Sequence, residues 1–211
     1  MPLQTYVRMF ILMTNEQIIS RLSWWQIRNC NKQPLFENRL QIFLFADSLV
    51  SLLRETPAVL NEKDDIEMAN DFDFLLLTNN AGLSSITPVI KDAKDSDKHQ
   101  AFLKELESFK GREQTAKFVF KNSTADIVSN FICSYRELLF STYQYQILLD
   151  NMLDSSKRFG WDKEEAAQKL HENTYRAALN KRIKVLQQNL HVYGSDYAQS
   201  RIRGQINLAS I

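Results

Sequence analysis

"STADIVSNFICSYRELLFSTYQYQILLDNMLD", residues 123–154, decides the fold. Val128, Phe131, Tyr135, Leu138, Thr142, Tyr145, Leu149 and Met152 recur three and four residues apart, the spacing that puts side chains on one face of an α-helix. Neither proline nor glycine interrupts the run, so the spacing predicts one helix of roughly 30 residues, on the order of 45 Å at 1.5 Å per residue. Ile127, Ile132, Leu139, Phe140, Leu148 and Leu153 widen the apolar stripe beyond a two-stranded seam. The helix should therefore pack against more than one neighbour.

Working outward, Gly160 supplies the stop, and Asp162 with Glu165 three residues later forms a capping-box pattern that opens the next helix. From there Ala167, Leu170 and Thr174, then Leu179, Ile183, Leu186, Leu190 and Tyr193, continue one stripe to Gly194. Two long helices joined by a short turn read as an antiparallel helical hairpin. "SDYAQSRIRG" adds a further turn or two before the terminal "QINLASI".

Upstream, Ser96 can cap a helix whose face carries Phe102, Leu106 and Phe109, with Gly111 as its expected stop. A helix over about 35–55 should end before Pro57, since the residue preceding a proline leaves the helical region. Its apolar residues fall on two sides, Phe36, Leu40, Phe43 and Val50 against Ile42, Phe45, Leu49, Leu52 and Leu53, which predicts a central position in the bundle. Asp47 lies in the first stripe, so it should meet a basic partner or mark the end of the buried zone. Residues 56–96 are less regular, with "NNAGLSS" as a loop and Thr87–Pro88 opening a short helix. Thr14 and Gln17 form another capping-box pattern, opening a helix over about 15–30.

The expected architecture is all-α, roughly five to seven helices. An N-terminal lobe (residues 1–115) is expected to pack on a long C-terminal hairpin with a short basic tail (residues 116–211) as one structural unit. Composition agrees. The chain has 211 residues, 44% apolar and 24% charged, which suits a globular protein able to bury a core. All four prolines lie within the first 88 residues, leaving the rest free to run in long helices. No apolar run is long enough to span a bilayer and no signal-peptide pattern opens the chain. Two cysteines, Cys30 and Cys133, make no CxxC pair, so neither a disulfide scaffold nor a cysteine-rich zinc site is expected, and a reducing, cytoplasmic location is.

Enzyme patterns fail one by one. "HENTY", residues 171–175, begins like a zinc-hydrolase helix but has Tyr175 where a second histidine must bind. There is no GxG pair, phosphate loop or GxSxG turn. Cys133 reads as a small core residue, and Cys30, near a basic helix end, as the more plausible reactive thiol. The acidic run 62–73 reads as a solvated edge or a docking surface; no metal and no cofactor is expected.

Two neighbouring tryptophans remain, in "RLSWWQIRNC", residues 21–30. On a helix Trp25 joins the inward face of Ile18 and Leu22, whereas Trp24 shares a sector with Arg21 and Arg28. Trp24 therefore requires either an internal cover or an external partner, and exposed Trp and Arg are the residues that anchor interfaces. The C-terminal basic residues Arg176, Arg182, Arg201 and Arg203 make the second candidate contact surface.

The resulting expectation is a non-enzymatic helical adaptor, or structural subunit of a larger protein assembly, acting through protein–protein interfaces. The cytosolic complexes of bacterial secretion systems are the kind of assembly it would suit. One rival is a nucleic-acid-associated regulator using the basic C-terminal helix and tail, with Tyr193 and Tyr197 to stack bases. Another is a helical enzyme of unfamiliar type with Asp47 or His171 inside a pocket between the lobes.

Overall fold

The computed structural model describes residues 32–54 and 96–207. Within them the chain is all-α: α1 (Lys32–Arg54), α2 (Ser96–Val119), α3 (Ser123–Phe159), α4 (Lys163–Lys169), α5 (Glu172–Gly194) and α6 (Asp196–Ile206). The expected helix over 15–30, with Arg21, Trp24 and Arg28, lies outside the described residues, as do the elements expected across 56–95 and Cys30.

The central element is α3. All eight residues of its heptad-like stripe, Val128 to Met152, are no more than 2% exposed. Seventeen of its 37 residues are buried, against six of 23 in α1. The two-sided pattern of α1 therefore does not make it the centre: Phe43, Phe45 and Leu52 are only partly buried and Leu44 is 56% exposed. Asp47 is exposed and pairs with no basic side chain among the described residues, and it does not mark the end of the buried zone, since Leu49, Val50 and Leu53 beyond it are buried.

Pairwise contacts fix the direction of each neighbour. Glu172 meets Tyr145, Arg182 meets Glu137 and Tyr193 stacks on Phe131, so residue numbers fall along α3 as they rise along α5. This is the expected antiparallel hairpin. A second hairpin precedes it. Phe102 packs on Tyr143 and Phe109 on Tyr135, so α2 also runs antiparallel to α3. α1 lies on α2 through Phe45 against Phe109, 5.3 Å between ring centres.

Three local expectations are corrected. Gly111 does not stop its helix, because an exposed glycine costs a helix only about 1 kcal/mol, which the burial of Ala116 and Val119 beyond it outweighs. Helix α2 consequently runs through residue 115. Ser123, with Asp126 three residues on, reads as the residue that opens α3; Asn122 is instead its N-cap, at φ 54° and ψ −146°, backbone that favours glycine. The return arm is not one helix, since it breaks at His171, which sits at φ 55° and ψ 40° between α4 and α5.

Gly160 and Asp162 act as expected. Gly160 adopts the left-handed conformation (φ 70°), and its N–H bonds the Ser156 carbonyl at 2.9 Å. Asp162 accepts the Glu165 N–H at 2.7 Å. Glu165 turns instead to Lys169, 3.0 Å away, so only half of the capping box forms.

Candidate functional site

Polar side chains gather at three helix junctions. At the first, Arg39 of α1 is 3% exposed; its Nε donates to the Val119 carbonyl at 2.7 Å and its Nη1 to the Gln205 carbonyl at 2.6 Å. These carbonyls end α2 and lie in the last turn of α6, where the peptide dipoles leave partial negative charge. A buried guanidinium is thus stabilised by two helix C-termini. Burial still pulls its pKa below the ordinary arginine value. Gln205 completes the junction: its Oε1 accepts the Lys121 N–H at 2.9 Å, and its Nε2 donates to the Lys121 carbonyl at 3.2 Å and to Thr124 Oγ1 at 3.0 Å. Gripped on both sides, the turn holds Asn122 in its unfavourable conformation.

The second junction is a chain of alternating charge across α2, α3 and α5. Lys117 lies 2.8 Å from Glu113, Arg136 contacts Glu113 at 3.5 Å and Glu137 at 3.0 Å, and Arg182 reaches Glu137 at 3.3 Å. The hydrogen bond and charge of Glu113 raise the Lys117 pKa. Arg136 also donates to Cys133 Sγ at 3.7 Å. Burial, followed by the charge of Glu113, pushes the Cys133 thiol pKa up, so the sulfur stays protonated and poorly nucleophilic.

At the third, the Tyr145 hydroxyl donates to Glu172 Oε1 at 2.5 Å, and Arg176 Nε lies 3.4 Å from the same oxygen. Both Tyr145 and Glu172 are buried, and Glu172 begins α5, where the helix dipole favours an anion. Burial, then the Glu172 hydrogen bond, raises the Tyr145 pKa, so the phenol remains a donor.

Of the sequence-selected basic residues, Arg176 and Arg182 lie on α5 and Arg201 and Arg203 on α6. Arg176 and Arg182 are each turned to a carboxylate of the fold, Glu172 and Glu137. Arg201 and Arg203 are exposed on α6, Arg201 lying over Tyr197 and hydrogen-bonded to its hydroxyl. His171 and Asp47 are both exposed; one precedes α5, and the other is close enough to Tyr193 at the far end of α5 for its charge to raise that phenol's pKa, after burial. None of the grooves lined by described residues contains either of them. Among the described residues no cluster of histidine, cysteine and carboxylate could hold a metal, and no helix is long and apolar enough to cross a membrane.

Among the described residues one groove, of about 490 Å³, runs along α5 and is lined by Arg176, Lys181 and Lys184 with the amides of Asn173, Asn180 and Gln188; sequence reading missed two further grooves. One, of about 310 Å³, runs along α3 and is lined by Phe140, Tyr143, Ile147 and, from α5, Tyr175, with Gln144 and Asn151 as its amides. Its lining carries no charge. Phe140 and Tyr175 are 37% and 42% exposed, and the Tyr143 hydroxyl lies 2.6 Å from His99 Nδ1. The other, of about 570 Å³, lies between α1 and α2 and holds Leu44, Phe45 and Arg112. The signal for the groove along α3 was available: Phe140 and Ile147, a heptad apart, stand outside the main stripe of α3. Comparison with family models, curated proteins and solved structures gives no significant match.

Proposed function

We propose that the chain is a non-enzymatic helical adaptor or structural subunit of a larger protein assembly, working in the cytoplasm through its helix surfaces. The observation that carries this reading is the division of side chains between inside and outside. The three polar junctions join helices to one another, whereas the grooves offer Leu44, Phe140 and Tyr175 to solvent. Large uncovered apolar and aromatic side chains gathered in concave surfaces are what a protein partner covers. Trp24, with Arg21 and Arg28, belongs to the same proposal as a further anchor. A nucleic-acid role is less well supported, because Arg176 and Arg182 already have carboxylate partners in the fold.

The test places a photo-crosslinking amino acid at position 44, 140 or, as an exposed control, 154, in the cells that make the protein. A discrete protein adduct is expected from 44 or 140, absent at 154. Adducts from none of the three, or the same smear from all, would refute the adaptor reading. For Trp24→Ala, loss of a co-purifying protein with unchanged thermal stability supports the anchor; loss of stability opposes it.

A further inference from the structure

The α1–α2 groove contains one ion. The Arg112 guanidinium carbon lies 3.8 Å from the centre of the Phe45 ring. Phe45 tilts against Phe109, and Phe109 stacks on Tyr135 at 5.4 Å. Tyr135 is 2% exposed, so the guanidinium rests on a pile of rings rooted in the core. With its face held on an aromatic, a planar guanidinium keeps its N–H edge for a planar anion. Among the described residues no carboxylate pairs with Arg112, and none lines the groove; Asn38, Gln41 and Thr115 contribute neutral polar groups. Leu44, 56% exposed, stands in the same lining.

An unneutralised arginine beside an uncovered leucine selects its occupant by charge and by apolar contact together. A basic segment is repelled, and a polyphosphate backbone would meet a single cation and an apolar wall. We propose that this groove binds an acidic-apolar segment of a partner protein. An Asp or Glu carboxylate of the partner docks on the N–H edge of Arg112, and an adjacent aliphatic or aromatic side chain packs on Leu44 and Phe45. The fork of the guanidinium supplies two parallel hydrogen bonds to the carboxylate, and its stacking on Phe45 removes most of the ordering cost of that contact. This inference rests on the adaptor reading and names what one of its surfaces takes.

The probe is a library of random short peptides displayed on phage, selected on the full chain and counter-selected on Arg112→Gln. Enriched peptides should carry Asp or Glu next to Leu, Ile or Phe. A synthetic representative should lose affinity by about tenfold or more on Arg112→Gln, and equally when its own carboxylate becomes an amide. Arg112→Lys should recover only part of the binding, since it restores charge without the fork. The change on the peptide keeps the test sound if the protein variant folds poorly. No enrichment, basic or uncharged consensus sequences, or affinity indifferent to both changes overturns the proposal. A discrete adduct from position 44 in cells alongside any of those results would sink the groove chemistry and leave the adaptor reading standing; loss of every adduct sinks both.

Discussion

Replacing Arg39 by methionine tests whether a buried cation held by two helix-terminal carbonyls stabilises this fold. Two hydrogen bonds from a charged donor, at 2.7 and 2.6 Å, are lost. At about 1.5–3 kcal/mol each they contribute about 3–6 kcal/mol. Against this, the methionine variant no longer buries a charge, and its unbranched side chain follows much of the path of the arginine stem. The groups left behind are neutral carbonyls in final helical turns, less costly to strand than an ion. The net expectation is a loss of about 2–4 kcal/mol, which at roughly 2–4 °C per kcal/mol lowers Tm by roughly 4–16 °C. Thermal and urea denaturation of the two proteins measures it. Gln205→Leu should be milder, about 1–3 kcal/mol. It should also speed hydrogen exchange at the Lys121 N–H, which donates to Gln205 Oε1. An Arg39→Met protein as stable as the parent, or more so, would refute the reasoning: desolvation would then outweigh the two helix termini.

The remaining predictions concern single corners of the fold. His171→Gly should stabilise by about 0.5–1 kcal/mol, because φ 55° costs an L-residue more than the added chain entropy of glycine; Gly160→Ala, at φ 70°, should destabilise by about 1 kcal/mol, and the reverse order in denaturation midpoints would contradict both. Tyr145→Phe and Glu172→Gln should each cost about 1–3 kcal/mol, with a double-mutant coupling of at least about 1 kcal/mol; an additive pair would mean that the 2.5 Å contact contributes little. Burial, reinforced by Asp154, raises the Asp150 pKa above 3.8, so its ionised form destabilises the native state. Protonation then favours folding: the penalty is complete above the raised native pKa and relieved as pH falls through it towards 3.8. Asp150→Asn should therefore raise Tm at neutral pH, with the gain vanishing in acid, and a gain independent of pH would exclude this cause.

The helical core was legible because its signal is local and periodic. Val128 through Met152 repeat within one uninterrupted helix, and a side chain facing inward there has no alternative but burial. Gly160 and Asp162 were legible for the same reason: a cap acts on backbone groups within four residues of itself. Gly111 misled because glycine is a weak stop when apolar residues continue beyond it. His171 was missed because nothing in its residue type requests a left-handed backbone. The break there starts α5 at Glu172, so that the carboxylate meets Tyr145 at the new N-terminus.

The polar junctions were illegible for a deeper reason. Arg39 bonds carbonyls 80 and 166 residues away, and carbonyl groups carry no sequence signature at all. The same limit hides from the sequence which of the four C-terminal arginines already have carboxylate partners. Arg182 is spent on Glu137 of α3, which only the antiparallel register brings opposite to it, whereas Arg112, between Lys110 and Glu113 in the sequence, keeps its edge because the ring beneath it supplies no counter-charge. For this chain, a count of basic residues therefore says less about contact surfaces than the partner each one has already found inside the fold. The informative cation is the one whose packing is settled and whose charge is not.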